Sequence, residues 1–246
     1  MKRSVIIGAS AGLGRALAER LAALGHNLFL VASDQRDLAP LAGDLTIRFG
    51  VDVTVLAADL YRVDAGLIRE RALSALGGVD HLLLIAGFSA PAIDRGAITP
   101  EMVDRMITIN LSAMIQVVNA FLPELANAQG GNLVGAGSVA AVRGRRSNMV
   151  YGAAKRGLEG YFESCRHWLA NKAGARVQFY RLGYLETQMV FGQKLPFPAL
   201  HPDAAAAAIV AHFGQDTGTR YLPRWWWLVM TLIRLIPWVI FKRLEI

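Results

Sequence analysis

At 246 residues the chain has room for one large domain, and 54% hydrophobic against 18% charged residues excludes a disordered chain. A single cysteine, Cys165, excludes an internal disulfide; the five histidines (His26, His81, His167, His201 and His212) lack ligand spacing, so neither a stapled secreted fold nor a structural zinc site is expected. Lys and Arg (26) exceed Asp and Glu (19), a formal net charge of +7 that favours an anionic partner without naming it.

The N-terminus MKRSVIIGASAGLG has the basic start of a signal peptide, but Val5-Ile6-Ile7 is too short for an apolar core of about 7–15 residues. A cytoplasmic chain is expected. Lys2–Ile7 reads as a short apolar strand. Leu13, Leu17, Leu21 and Leu24 recur at helical spacing, and Gly25 suits the stop. Asn27–Ala32 is a second strand, followed by a polar helical segment. Asp52–Ala57 is a third strand, Tyr61–Leu76 a helix broken by Gly77-Gly78, and His81–Ala86 a continuous apolar strand. Thr99 caps and Pro100 starts a long helix running to about Phe121. Asn132–Ala136 is a strand, Met149–Leu169 a helix, Arg176–Arg181 a strand, Pro202–Phe213 a helix and Thr219–Leu222 a short edge strand. Strands without polar alternation, each followed by a helix, imply a parallel sheet covered on both faces. The expected architecture is one doubly wound α/β domain of Rossmann type over residues 1–222, with about seven strands. An appended tail occupies residues 223–246.

Gly8-Ala9-Ser10-Ala11-Gly12-Leu13-Gly14 joins the first strand to the first helix. There a helix presents free N–H groups and the positive end of its dipole, and glycines let the backbone approach a pyrophosphate. A tight packing turn would also use small residues. The position, in the first βα loop, is what favours a dinucleotide.

Tyr151 and Lys155 are four residues apart, hence on one helix face. A phenol with a pKa of about 10 is a poor acid or base at neutral pH, and a nearby ammonium lowers that value. The pair suits hydride transfer, in which a proton must reach or leave the substrate oxygen. Ser138, ending the fifth strand, can hold the same oxygen. Asn110, between Ile109 and Leu111, needs partners if buried; one use is to hold a water linking Lys155 to solvent. Each residue alone has an ordinary reading as a surface pair, a turn serine or a core amide.

Together, in this order and after this loop, these residues resemble the short-chain dehydrogenase/reductase family over about residues 3–190. The resemblance implies an NAD(P)(H)-dependent oxidoreductase interconverting a carbonyl and an alcohol, with a catalytic set of Asn110, Ser138, Tyr151 and Lys155. It places the cofactor on Gly8, Ser10, Gly12, Leu13, Gly14, Ser33, Asp59, Leu60, Ala86, Gly87, Tyr151, Lys155, Gly183 and Thr187. Asp59 takes the adenine amino position, Ala86-Gly87 ends the family's Asn-Asn-Ala-Gly motif, and Arg181–Thr187 lines the nicotinamide. Leu84-Ile85 replaces two asparagines of the family pattern, and Leu182 a proline.

An acid at the end of the second strand favours NAD, and a basic residue nearby favours NADP. The strand ends Val31-Ala32-Ser33-Asp34. Ala32-Ser33 leaves room for a 2′-phosphate to which Ser33 can donate, so NADP is preferred over NAD. Asp34 is expected to point away, and Arg36 either reaches the phosphate or is solvated.

Four of the five tryptophans lie in the tail (Trp225, Trp226, Trp227 and Trp238). Projected at about 100° per residue, Arg224, Thr231, Arg234 and Lys242 share one stripe with Trp227 and Trp238 at its edge. Nearly everything else there is apolar. Tryptophans beside basic residues suit a helix lying in a membrane interface. A spanning helix needs about 20 apolar residues, and Arg234 and Pro237 interrupt the run. The apolar face can also simply pack on the domain or on a second copy of the chain, so a homo-oligomer and peripheral contact with the inner face of the membrane through 223–243 both stand. The tail is similar to those of a short-chain reductase subgroup that includes an enzyme acting on a decaprenylphosphoryl keto-pentose, which implies a small-molecule, apolar or lipid-linked carbonyl substrate. The loop Gln188–Leu200, with Met189, Phe191, Pro196, Phe197 and Pro198, is expected to cover it. No nucleic-acid motif is present. The competing function is a non-catalytic dinucleotide-binding sensor or scaffold docked through the tail, which has no use for Ser138, Tyr151 and Lys155 together.

Overall fold

A computed structural model describes residues 1–90, 94, 98–172, 174–192 and 195–244. The strands are β1 (Arg3–Ile7), β2 (Asn27–Ala32), β3 (Val53–Ala57), β4 (His81–Leu84), β5 (Asn132–Ser138), β6 (Arg176–Leu182) and β7 (Gly218–Leu222). All seven pair in parallel in the order β3-β2-β1-β4-β5-β6-β7, so β7 is indeed an edge strand. The winding reverses between β1 and β4, which opens a crevice at the carboxyl ends of the strands.

The strands read as apolar runs because both faces are covered. Within β1, Val5 and Ile7 point to one layer and Ile6 to the other. One layer holds α3 (Ala65–Leu76), α4 (Pro100–Ile107), α5 (Ala113–Asn127) and α6 (Met149–Leu169); the other holds α1 (Gly12–Ala23), α2 (Gln35–Phe49) and α7 (Pro202–Val210). Local chemistry sets the ends. Asp34 and Asp64 accept from backbone amides at the starts of α2 and α3, and Gly50 and Gly77, at φ 65° and 67°, close them. Thr99 Oγ1 accepts from the Met102 amide at 3.3 Å, with Pro100 in the first turn, as expected.

Two strands shift at their ends, β4 stopping at Leu84 short of Ala86 and β5 running on past Ala136 to Ser138, and three helical elements differ from expectation. The Tyr61–Leu76 segment divides into a 3₁₀ turn at Leu60–Arg62 and α3, because Asp59 and Asp64 each cap a new start. The helix from Pro100 runs on to Asn127, and a π-helical turn at Thr108–Ser112 separates α4 from α5. The helix from Pro202 stops at Val210.

The tail forms α8 (Trp226–Leu235) and α9 (Trp238–Phe241), divided at Pro237 as its fixed φ demands. Trp226, Met230 and Phe241 are buried against the domain, while Trp227, Leu228, Leu235, Trp238 and Ile240 stay exposed.

Candidate active site

Gly8 to Gly14 form the floor of the crevice. Gly8 has φ 91°, a region closed to most L-residues, and a Cβ on it would lie 2.5 Å from the Ala86 amide nitrogen. A Cβ on Gly14 would overlap the Gly8 carbonyl oxygen, so α1 can sit directly on β1 only with glycine there. Ala11 precedes α1 in extended conformation, no side chain caps the helix, and its first turn holds no acid. The leading amides of α1 therefore face a cavity of about 800 Å³ with their hydrogen-bonding capacity uncommitted to side chains.

That cavity runs from Ser33, Asp59 and Leu60 past Gly8, Ser10, Gly12, Leu13 and Gly14 to Ala86 and Gly87, and ends at Ser138, Tyr151, Lys155, Gly183 and Thr187. Every expected cofactor residue lines it. Glycines whose Cβ positions are already occupied, an open helix terminus and an elongated cavity fit a dinucleotide. Asp59 is held by the Tyr61 amide at 3.0 Å. Asp34 does point away: its carboxylate pairs with Arg36 (2.5 Å), which holds it down to about 2, and neither residue lines the cavity. Arg36 is thus committed to its neighbour in the chain.

Tyr151 and Lys155 stand one turn apart on α6, with the Lys155 ammonium 5.9 Å from the phenol ring centre. Lys155 is buried and donates to the Ala136 carbonyl at 2.9 Å, and burial lowers its pKa to about 8. Burial dominates at Tyr151 too. It raises the phenol to about 12, against the opposing hydrogen bond from Ser138. The expected lowering of the phenol by the ammonium is not found; desolvation dominates instead, and the hydroxyl is held protonated. Ser138 Oγ also accepts from the Ala140 amide at 3.1 Å, which fixes the hydroxyl at the end of β5.

Asn110 does not line the cavity; it is fully buried behind Gly87. Its Nδ2 donates to the Phe88 and Met106 carbonyls (2.7 and 2.9 Å), and its Oδ1 accepts from the Phe88 amide at 3.1 Å. It lies in the π-helical turn, where the normal i→i−4 pattern is broken, and its side chain satisfies the carbonyl four residues back. A Cβ on Gly87 would lie 3.3 Å from Asn110 Oδ1 and 3.4 Å from Lys155 Nζ, so this glycine keeps the two close together.

Sequence reasoning missed several residues. Asp94, fully buried, accepts from the Val150 and Tyr151 amides at 3.0 and 3.1 Å and so holds the start of α6. Asn148 takes φ 57°, a conformation open to asparagine, to turn the chain into that helix. Arg105, Arg145 and Trp226 also line the cavity. No local pattern marks Asp94, and the sequence presents Trp226 only as part of an amphipathic tail. The covering loop is only partly as expected. Met189 lines the cavity, but Phe191 is 90% exposed and Phe197 packs on Trp225 and Trp226; residues 193 and 194 lie outside the described residues.

A family model described as short chain dehydrogenase matches residues 2–194. The chain belongs to that family. An uncharacterized oxidoreductase of Myxococcus xanthus is 31% identical over 200 residues, 81% of this chain and 78% of that protein. The 3-oxoacyl-[acyl-carrier-protein] reductase of Homo sapiens is 29% identical over 189 residues, 76% of this chain and 77% of that one. The solved short-chain dehydrogenase from Sphingobium yanoikuyae in complex with NADPH superposes with a TM-score of 0.82 at 28% identity, covering 97% of each chain.

Proposed function

We propose that the protein is an NADP(H)-dependent oxidoreductase that interconverts a carbonyl and an alcohol. The observation that carries this reading is the meeting of Ser138, Tyr151 and Lys155 at the end of a cavity whose floor is the Gly8–Gly14 loop. The bound dinucleotide supplies or accepts the hydride. The leading amides of α1 hold its phosphates, Asp59 the adenine, and Gly183 and Thr187 border its nicotinamide. Ser138 orients the substrate oxygen. Tyr151, kept protonated by burial, gives that oxygen its proton during reduction. Lys155 holds positive charge beneath the phenol and binds the nicotinamide ribose. Asn110 keeps the segment at Gly87 in place.

Preference for NADP over NAD rests on the end of β2. Ala32 and Ser33 line the cavity, and Asp34, the acid that follows the strand, is turned out and paired with Arg36. A 2′-phosphate meets the Ser33 hydroxyl there, while the Asp59 carboxylate that lines the same cavity is held by the Tyr61 amide. The Sphingobium relative was solved with NADPH.

The decisive experiment follows nicotinamide absorbance with a panel of ketones and aldehydes. Tyr151→Phe should reduce turnover by about 10²–10⁴-fold while leaving NADPH affinity within twofold. A Tyr151→Phe protein with full turnover overturns the assignment.

The tail supports a further part of the reading, a lipid-linked or otherwise apolar substrate met at the inner face of the membrane. Trp227, Leu228, Leu235, Trp238 and Ile240 are exposed on one appendage, beside exposed Arg224, Arg234, Lys242 and Arg243. Aromatic and cationic groups side by side fit an anionic bilayer surface. The likeness of this tail to those of reductases acting on a decaprenylphosphoryl keto-pentose points the same way. Co-sedimentation with vesicles containing phosphatidylglycerol, lost on Trp227→Ser/Trp238→Ser, is expected. A stable dimer in solution that ignores vesicles assigns the face to a second copy instead.

A further inference from the structure

The end of the cavity beyond Ser138 and Tyr151 has a wall for which the hydride-transfer reading gives no use. Arg145 lies on the segment between those two residues and lines the cavity. Its Nε is buried with no hydrogen-bond partner, and no carboxylate pairs with its guanidinium among the described residues. Trp226, the first residue of α8, lines the same cavity, is 2% exposed, and its Nε1 is likewise buried without a partner. The indole nitrogen sits directly over Gly183, where any Cβ would collide with it. The two residues belong to one wall: Val139 packs with Trp226 and Met230, and Val139, Met230 and Arg145 also border one small adjoining pocket.

Buried donors in native proteins are almost always satisfied. Two orphaned donors on one wall of one cavity therefore ask for an acceptor. The neighbouring cations have other work. Arg143 donates to the Ile236 carbonyl at 2.8 Å, and Arg105 lies over the Phe88 ring at 5.4 Å. A guanidinium offers five N–H donors and no acceptor, in a fork that matches two anionic oxygens; an indole offers one donor. Neither orphaned nitrogen is open to water. A side-chain rotation that turns them to a ligand oxygen thus exchanges an unsatisfied donor for a satisfied one.

We propose that Arg145 and Trp226 form a subsite for an anionic oxygen group of the substrate, a carboxylate or a phosphoryl group, beside the reacting carbonyl. The subsite rests on the reading that Ser138 and Tyr151 hold that carbonyl. It makes the preferred substrate a keto or hydroxy compound that carries a negative charge.

Isothermal titration of the full-length protein, saturated with NADP⁺, compares benzoate and phenyl phosphate with uncharged benzamide. At least one anion should bind ten times more tightly than benzamide, and which one does so distinguishes carboxylate from phosphoryl. Arg145→Met should abolish that preference, Arg145→Lys should keep part of it, and Trp226→Phe should weaken the anion at least threefold. NADP⁺ affinity should stay within twofold in all three variants, which also reports their folding. An anion that binds no better than benzamide to the native protein overturns the proposal, as does an Arg145→Met protein that keeps the preference. Loss of NADP⁺ affinity in Trp226→Phe matching the loss for the anion gives the indole to the cofactor and removes it from the subsite. If NADP⁺ does not bind the native protein, the dinucleotide reading fails by itself; the anion titration on the protein alone then still decides the subsite.

Discussion

The carboxylate of Asp94 accepts the backbone amide of Tyr151 at 3.1 Å and that of Val150 at 3.0 Å. A buried acid thus ties down the first turn of α6, where its charge also faces the positive end of the helix dipole. Tyr151 stands in that turn, so the direction of its phenol depends on a residue 57 positions earlier in the chain. Asp94→Asn keeps the shape but replaces one acceptor with a donor, which leaves one amide unpaired. Stability should fall by about 2 kcal/mol, the scale of a lost charged hydrogen bond. Turnover should fall about tenfold with a smaller change in the KM for NADPH, because the Gly8–Gly14 floor lies on other elements although Lys155 shares α6. Urea unfolding and steady-state kinetics check both; an unchanged kcat removes Asp94 from the positioning of Tyr151.

Lys155 gives a pH prediction. Burial holds its pKa near 8, well below the ordinary lysine value, so it loses its proton, and its charge, as pH rises through about 8. The kcat/KM for NADPH, which reports groups of the free enzyme, should fall about tenfold between pH 7 and pH 9. A profile that stays flat to pH 10 means that the ammonium is either more exposed or less needed than the site suggests.

Much of this site was legible in the sequence, for local reasons. The glycines of 8–14 sit where a βα turn needs them, Tyr151 and Lys155 lie at a helical interval, and α6 spans the residues its pattern marks. What stayed hidden depends on tertiary placement. Asp94 reaches α6 from a distant loop. Trp226 looks like any other member of an apolar tail until α8 packs it over Gly183. Arg145 stands in a Gly-Arg-Arg run that reads as solvated, and only the fold turns it to the cavity. The phenol's upward shift was also missed, because desolvation is a property of the packed site.

A polar cluster at the opposite end of the sheet contributes to the loss of stability in acid. Asn132 Nδ2 lies 2.9 Å from His81 Nδ1, and the His81 ring stacks on His26 at 5.1 Å and packs against Phe213 at 4.9 Å. Burial first, then the neighbouring His26, lowers His81 to about 3. In the unfolded chain it titrates near 6.5, so the unfolded state takes up the proton first. The contribution of His81 is complete above about pH 6.5 and is lost as pH falls towards 3. Between pH 7.5 and pH 5 the folding free energy should drop by about 2 kcal/mol from this residue. Urea titrations at the two pH values measure it. His81→Phe, which keeps the ring contacts, should be less stable at neutral pH but should lose most of that pH dependence; an unaltered slope would place the effect elsewhere.

Besides the buried Trp226, Met230 and Phe241, one polar side chain ties the tail to the segment that follows β5. Arg143, five residues after Ser138, donates through Nη1 to the carbonyls of Ile233, Arg234 and Ile236, the last turn of α8, and its guanidinium lies 3.6 Å from the Phe241 ring centre. A cation over the carbonyl end of a helix satisfies groups that have no partner within it. Stacking on Phe241 holds α9 in the same grip. Arg143→Ala should therefore free the tail while the sheet stays intact. Trypsin should cut at Arg234 at least tenfold faster, and the main thermal transition should move by no more than a few degrees, since the lost bonds lie outside both large core clusters. A tail as resistant in Arg143→Ala as in the native protein would show that Trp226, Met230 and Phe241 hold it without the arginine.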